Sequence, residues 1–219
     1  MKKVIISFVV LVAAICSSNA QVFVGGELGM GFYGGNTKDG NTTVDSPTTL
    51  SMRFSPKVGF YLKDNFAIGA ELWLVTNVFN DKAVNDETKI TDLGWGIAPF
   101  ARYSVFEFGK FSVWFEGAAS VYATSSKSKT GDISTDRPST FTAGLSVAPL
   151  LSYSLTERID LEMDLNFLGL GIHSATQTTK VSEGDDIKRN NTSFSFGANS
   201  NSVFAGDLGT LTIGFIYKF

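Results

Sequence analysis

One hairpin recurs around three short turns in this chain, and its two unlike faces leave few folds open. Before each turn stands a version of small-Pro-x-apolar-x-aromatic: "SPKVGF" (55–60), "APFARY" (98–103) and "APLLSY" (148–153). After each turn comes an alternating run whose sixth residue is an acid: "FAIGAE" ending in Glu71, "FSVWFE" ending in Glu116 and "IDLEMD" ending in Asp164. "VFVGGE", ending in Glu27, fits the same second half. A repeated unit with a two-residue period, and no segment with a helical period, predicts an all-β chain made of hairpins.

The face that holds the acids decides the architecture. Neighbours along a strand point to opposite sides. Glu27, Glu71, Glu116 and Asp164 therefore share a side with Gly25, Ala67, Trp114 and Glu162, while Val24, Leu28, Ile68, Leu72, Phe115 and Leu161 lie on the other. The preceding strands agree: Phe54, Val58, Trp95, Ile97, Leu145 and Leu151 stand opposite Arg53, Lys57, Arg102, Ser146 and Ser152. A soluble ligand-binding barrel needs an apolar lining and a wet exterior, the reverse of an oily face backed by charges of both signs. With the oily stripes toward lipid the charges face inward and neutralise one another; turned outward, a Lys or Arg costs roughly 2–4 kcal/mol at the bilayer midplane.

Short connections at 62–66, 106–110 and 155–159 alternate with polar stretches at 35–49, 80–89, 125–139 and 174–207. Strands are expected at 22–34, 50–62, 66–79, 91–105, 111–124, 140–155, 159–173 and 208–219, with the polar stretches as large loops at one end. The reading is an eight-stranded antiparallel up-and-down transmembrane β-barrel, with both ends on the short-turn side. "TSFSFGANSNSVFAG" (192–206) keeps open an extension of the last hairpin or a ten-stranded alternative. Pro56, Pro99 and Pro149 cannot donate to a ladder and are expected to mark a bulge or break at one level. Gly25, Gly29, Gly94, Gly96 and Gly144 are expected to sit beside Trp73 or Trp114 in a tight interior.

Residues 1–20 read as a cleaved signal peptide: Lys2 and Lys3, an apolar run from Val4 to Ile15, and "SNA" before Gln21. Cys16 suggests a lipoprotein, but Ile15 stands where that motif calls for a small residue. Cleavage leaves residues 21–219 as the barrel domain, without cysteine and with 16 basic against 21 acidic residues, a net charge of −5. That balance argues against nucleic acid as a partner.

With its signal peptide, its four hairpins, "PKVGFYLKDNFAIGAELW" (56–73) and the terminal "GFIYKF", the chain resembles the small bacterial outer-membrane β-barrel family of the OmpA-membrane-domain, OmpX and opacity-protein type, often labelled the porin family. The resemblance implies an outer-membrane location and a last strand, Leu211, Ile213, Phe215, Tyr217 and Phe219, read by the outer-membrane assembly machinery. It implies no particular activity.

Little in the sequence points to catalysis. His173 beside Ser174, with Glu183 ten residues on, would sit at the outer rim, where outer-membrane lipid A deacylases work, but neighbours on a strand face opposite ways and those enzymes' motif is not recognised. The inward acids could line a cation path or hold a hard cation such as calcium; the loops lack a calcium-loop pattern. The expected site is an interior ion-pair network of Glu27, Arg53, Lys57, Glu71, Arg102, Glu116, Asp164 and Lys218, with Asp160 and Glu162 nearby, in a lumen that side chains fill. No catalytic, cofactor or metal residue is assigned. The expected role is a monomeric surface scaffold whose partners are membrane lipid, the assembly machinery and a ligand of the outer loops. The alternatives are a narrow porin-like pore and, third, a lipid A-modifying enzyme.

Overall fold

The computed structural model describes residues 21–39, 42–81, 87–165, 168–181, 185–198 and 212–219. Residues 1–20, Glu183 and Leu211 lie outside them.

Eight staves form a closed ring. In order they are β1 (Gln21–Tyr33), β4 (Thr48–Lys63), β5 (Phe66–Asp81), β6 (Thr88–Phe108), β7 (Phe111–Thr130), β8 (Ile133–Ser154), β9 (Ile159–Asp164) and β12 (Thr212–Lys218), every contact antiparallel. Closure comes from β12 against β1, from Phe23↔Lys218 to Leu28↔Ile213. β10 (Leu168–Thr179) continues the stave begun by β9, and β11 (Ile187–Ala198) pairs with β10. β2 (Asn36–Asp39) and β3 (Thr42–Asp45) form a small hairpin of their own. The stretch around 192 therefore extends the last hairpin, and the ring has no ninth or tenth stave among the described residues.

The oily residues stand outside. Leu28, Phe54, Leu72, Trp95, Phe115, Leu145, Leu161 and Ile213, one from each stave, are 41–67% exposed. Their neighbours Glu27, Lys57, Glu71 and Arg102 are buried in the lumen. A ring with this exterior faces hydrocarbon, and along β9, β12 and β1 its closure pairs the ladder edges that lipid could not solvate.

Three sequence expectations need correction, the first in whole and the others in part. Residues 125–139 are not a large loop, because β7 and β8 run on as a ladder to a two-residue turn at Gly131–Asp132, with Gly131 at φ 56°. Glycine at the first central position is the type II′ preference, and Gly109, at φ 60°, does the same between β6 and β7. Second, at Pro56 and Pro99 the expected break is present on one flank only, where two successive pairs are missing toward β5 and β7, and no bulge falls at the proline: the register shifts of these ladders lie at Tyr61/Lys63 and Ser104/Phe106. The irregularity near Pro149 lies on the facing stave: Leu150 pairs with Asp164 but Val147 with Leu170, so three extra residues sit there, and the Leu165 amide donates to the Pro149 carbonyl at 3.0 Å. An odd insertion reverses the alternation, so even-numbered side chains point inward in β9 and odd-numbered ones in β10. Third, Gly96 does stand directly opposite Trp73 in register, with Tyr122 on its other flank, but the side chains nearest the others are Ile216 at Gly25, Tyr122 at Gly94 and His173 at Gly144.

β6, β7 and β8 contain 21, 20 and 22 residues. At about 3.4 Å per residue and a tilt near 40°, roughly ten residues cross the apolar band of about 25 Å. About half of each strand therefore stands beyond the band, as a polar hairpin arm at the outer end and a few residues at the short-turn end.

Candidate functional site

The lumen is crossed by charge. Arg102 on β6 and Glu162 on β9 are three staves apart in the ring, and Arg102 Nη1 lies 2.6 Å from Glu162 Oε1. Glu162 Oε2 is 3.5 Å from Lys57 Nζ on β4, three staves away in the other direction. Glu162 thus ties both flanks of the barrel to β9. Lys57 also pairs with Glu27, Arg53 with Glu71 at 3.4 Å, and Lys218 with Asp160 at 2.9 Å. The last pair couples β12 to β9 beside the closing seam. These side chains are buried or nearly so, where an ion pair is stable only if its remaining donors and acceptors are met.

Arg102 has the most partners, although its Nε has no acceptor among the described residues. Its Nη2 donates to the Tyr61 hydroxyl at 2.8 Å, and its guanidinium carbon lies 4.5 Å from the Phe23 ring centre, 5.4 Å from Tyr61 and 5.2 Å from Trp114. A planar, weakly hydrated cation suits such a cage better than an ammonium does. Phe23 packs on Tyr61 at 5.0 Å and on Phe100 at 6.4 Å between ring centres, and Phe100, Ala67 and Ile216 complete an apolar plug. These rings fit because glycine stands opposite them: a Cβ at Gly59 would fall on the Phe23 ring, and one at Gly69 on Phe100.

Of the residues singled out from the sequence, Glu27, Arg53, Lys57, Glu71, Arg102 and Lys218 are in ion pairs. Glu116 stands opposite Arg102 in register, but the Arg102 ion pair is with Glu162. Asp164 lies in the same cluster, near Lys57 and Glu27. The sequence placed Asp160 and Glu162 near the network without giving them partners, and the aromatic cage was missed, although Phe23, Tyr61 and Phe100 fall on the charged face by simple alternation from Glu27, Lys57 and Arg102. Among the described residues, no three His, Cys, Asp or Glu converge as a metal site.

Below the plug, a cavity of about 360 Å³ opens toward the short turns, bordered by Tyr61, Trp114, Asp160 and Lys218. At the other mouth, one of about 260 Å³ is lined by Asn77, Asp92, Ser126, Arg137, Thr140 and Gln177. His173 does not sit on the rim. β10 continues to Thr179, the His173 ring lies over Gly144 inside the barrel, and Ser174 is exposed on the opposite face. This pair cannot act together on one substrate in this arrangement.

No protein-family model and no curated protein matches the sequence. Solved structures similar to it include Neisserial surface protein A, 14% identical over 92% of this chain and 100% of that one, with a TM-score of 0.38. Ail, the attachment invasion locus protein of Yersinia pestis, is 11% identical over 92% and 100%, with a TM-score of 0.45. A major outer membrane protein from Thermus thermophilus is 13% identical over 90% and 99%, with a TM-score of 0.42. The eight-stave ring and oily exterior described above stand on the pairing and exposure of this chain's own residues.

Proposed function

We propose that this chain is an integral barrel of a bacterial outer membrane, sealed across its lumen, that serves as a scaffold presenting hairpin arms at the cell surface. One observation carries the sealed scaffold over the pore: Glu162 holds Arg102 and Lys57 from opposite flanks, with the Phe23, Tyr61 and Trp114 rings stacked around the guanidinium. An eight-stranded ring encloses little more than side chains can fill, and here each of the four lumenal bases is paired with a carboxylate. Insertion falls to the assembly machinery acting on the last strand, whose Ile213, Phe215 and Phe219 stand exposed on one face.

Single-channel recording in planar bilayers tests the reading. Wild-type protein inserted from detergent gives no resolved steps in concentrated potassium chloride, whereas K57A/R102A/E162A, which cuts the tie from all three staves, gives discrete openings. Reproducible steps from the wild type establish the pore instead.

A further inference from the structure

Just above the oily band, the β6–β7 arm carries three lysines on its outward face. Lys89 and Lys129 are directly opposed in register, and Lys127 lies two residues along from Lys129, opposite Thr91. All three are exposed. Opposed like charges on neighbouring strands destabilise a ladder unless an anion sits between them. The acids nearby answer them weakly: Asp136, opposite Lys127 in register, approaches it only to 3.9 Å with both side chains mostly in solvent, and Glu87 and Asp132 stand farther out at the tip.

Height fixes what that anion is. On β6, Lys89 is four residues beyond Leu93, and Thr91, the partner of Lys127, is two beyond it; Trp95 lies below, 61% exposed. At the rise and tilt used above, Lys127 stands roughly 5 Å above Leu93, in the headgroup layer that adds about 5–8 Å to each side of the hydrocarbon, while the backbone of Lys89 and Lys129 stands roughly 10 Å above it, just beyond that layer, from where their flexible stems reach back to it. Trp95 is at the level of an interfacial aromatic. Below the lysines, and sharing Leu93, an outward groove of about 720 Å³ runs across β1 to β6, formed by Leu28, Met30, Met52, Phe54, Leu74 and Leu93. Flexible methionines suit such a wall to a chain that can bend.

We infer that Lys89, Lys127 and Lys129 bind the headgroup phosphate of one lipid of the outer leaflet, whose acyl chain lies in this groove. The site rests on the membrane-barrel reading above. Its occupant is a phosphorylated lipid and not a soluble anion, because the basic end and the apolar end meet on one face of β6.

The test uses protein refolded in maltoside micelles, with bound lipid counted by native mass spectrometry during titration with bisphosphorylated lipid A. Wild type retains one lipid, and K89Q/K127Q/K129Q weakens its retention about 100-fold, near fivefold per lysine at an anionic surface. Dephosphorylated lipid A binds both forms equally weakly. A triple variant that binds bisphosphorylated lipid A within threefold of wild type overturns the site. Displacement of the lipid by millimolar inorganic phosphate overturns the lipid assignment, leaving an anion site alone. The heat-dependent gel shift of a folded barrel is recorded for each protein; a wild type that does not acquire it in vesicles overturns the membrane reading itself.

Discussion

Replacing Arg102 with methionine is the sharpest probe of the tie across the lumen. The side chain is buried, and its loss removes the 2.6 Å pair with Glu162, the 2.8 Å hydrogen bond to Tyr61 and the contacts with three rings. Removing one partner of a buried pair costs about 3–5 kcal/mol, mostly because the other charge is stranded. Glu162 keeps Lys57 at 3.5 Å, and methionine restores much of the volume, so the lower end, about 3 kcal/mol, is expected. R102M/E162M strands neither member of that pair and leaves Lys57 with Glu27. The double variant is therefore more stable than R102M alone, with a coupling of about 2–3 kcal/mol. The assay is reversible urea unfolding from lipid vesicles, followed by tryptophan fluorescence and gel shift. Additive single losses, or a loss below about 1 kcal/mol for R102M, would refute a tie running through Glu162.

Two further perturbations test packing and phase. Gly59→Ala puts a methyl group onto the Phe23 ring and the Ile68 carbonyl and costs roughly 1–3 kcal/mol in the same assay, part of which F23A in the same chain recovers; no loss would mean the plug is loose. Ile172→Arg places a charge on the lipid face of β10 and lowers stability by about 2–4 kcal/mol if it sits near the midplane, whereas His173→Arg costs less because that side chain lies inside the barrel. The opposite order would show that the alternation does not reverse between β9 and β10.

The split between lumen and exterior was legible because alternation is a local property. Once Glu27 is inward, so are Phe23 and Gly25, and the same holds for Lys57 with Tyr61 and for Arg102 with Phe100. The short turns were legible for the same reason: "FGK" carries its own glycine at positive φ. The outer arms were hidden because a run such as "SSKSKT" is polar on both faces, so period two leaves no mark in it although serine and threonine sit readily in a ladder. The three-residue irregularity opposite Pro149 was hidden because "IDLEMDLNFLGLGI" looks apolar enough to run straight through.

The sequence by itself determined that this is a ring of hairpins, oily outside and charged within, because along an unbroken strand each residue's face follows from its neighbours. Which inward charge meets which was decided by the closed ring. Registers adjacent in sequence set Glu71 opposite Lys57 and Glu116 opposite Arg102. Closure brings β9 within reach of β6 and β4 across the lumen, so that Glu162 takes Arg102 and joins Glu27 at Lys57. Contacts across a barrel depend on the stagger summed over several staves, and no stretch of sequence read alone contains that sum.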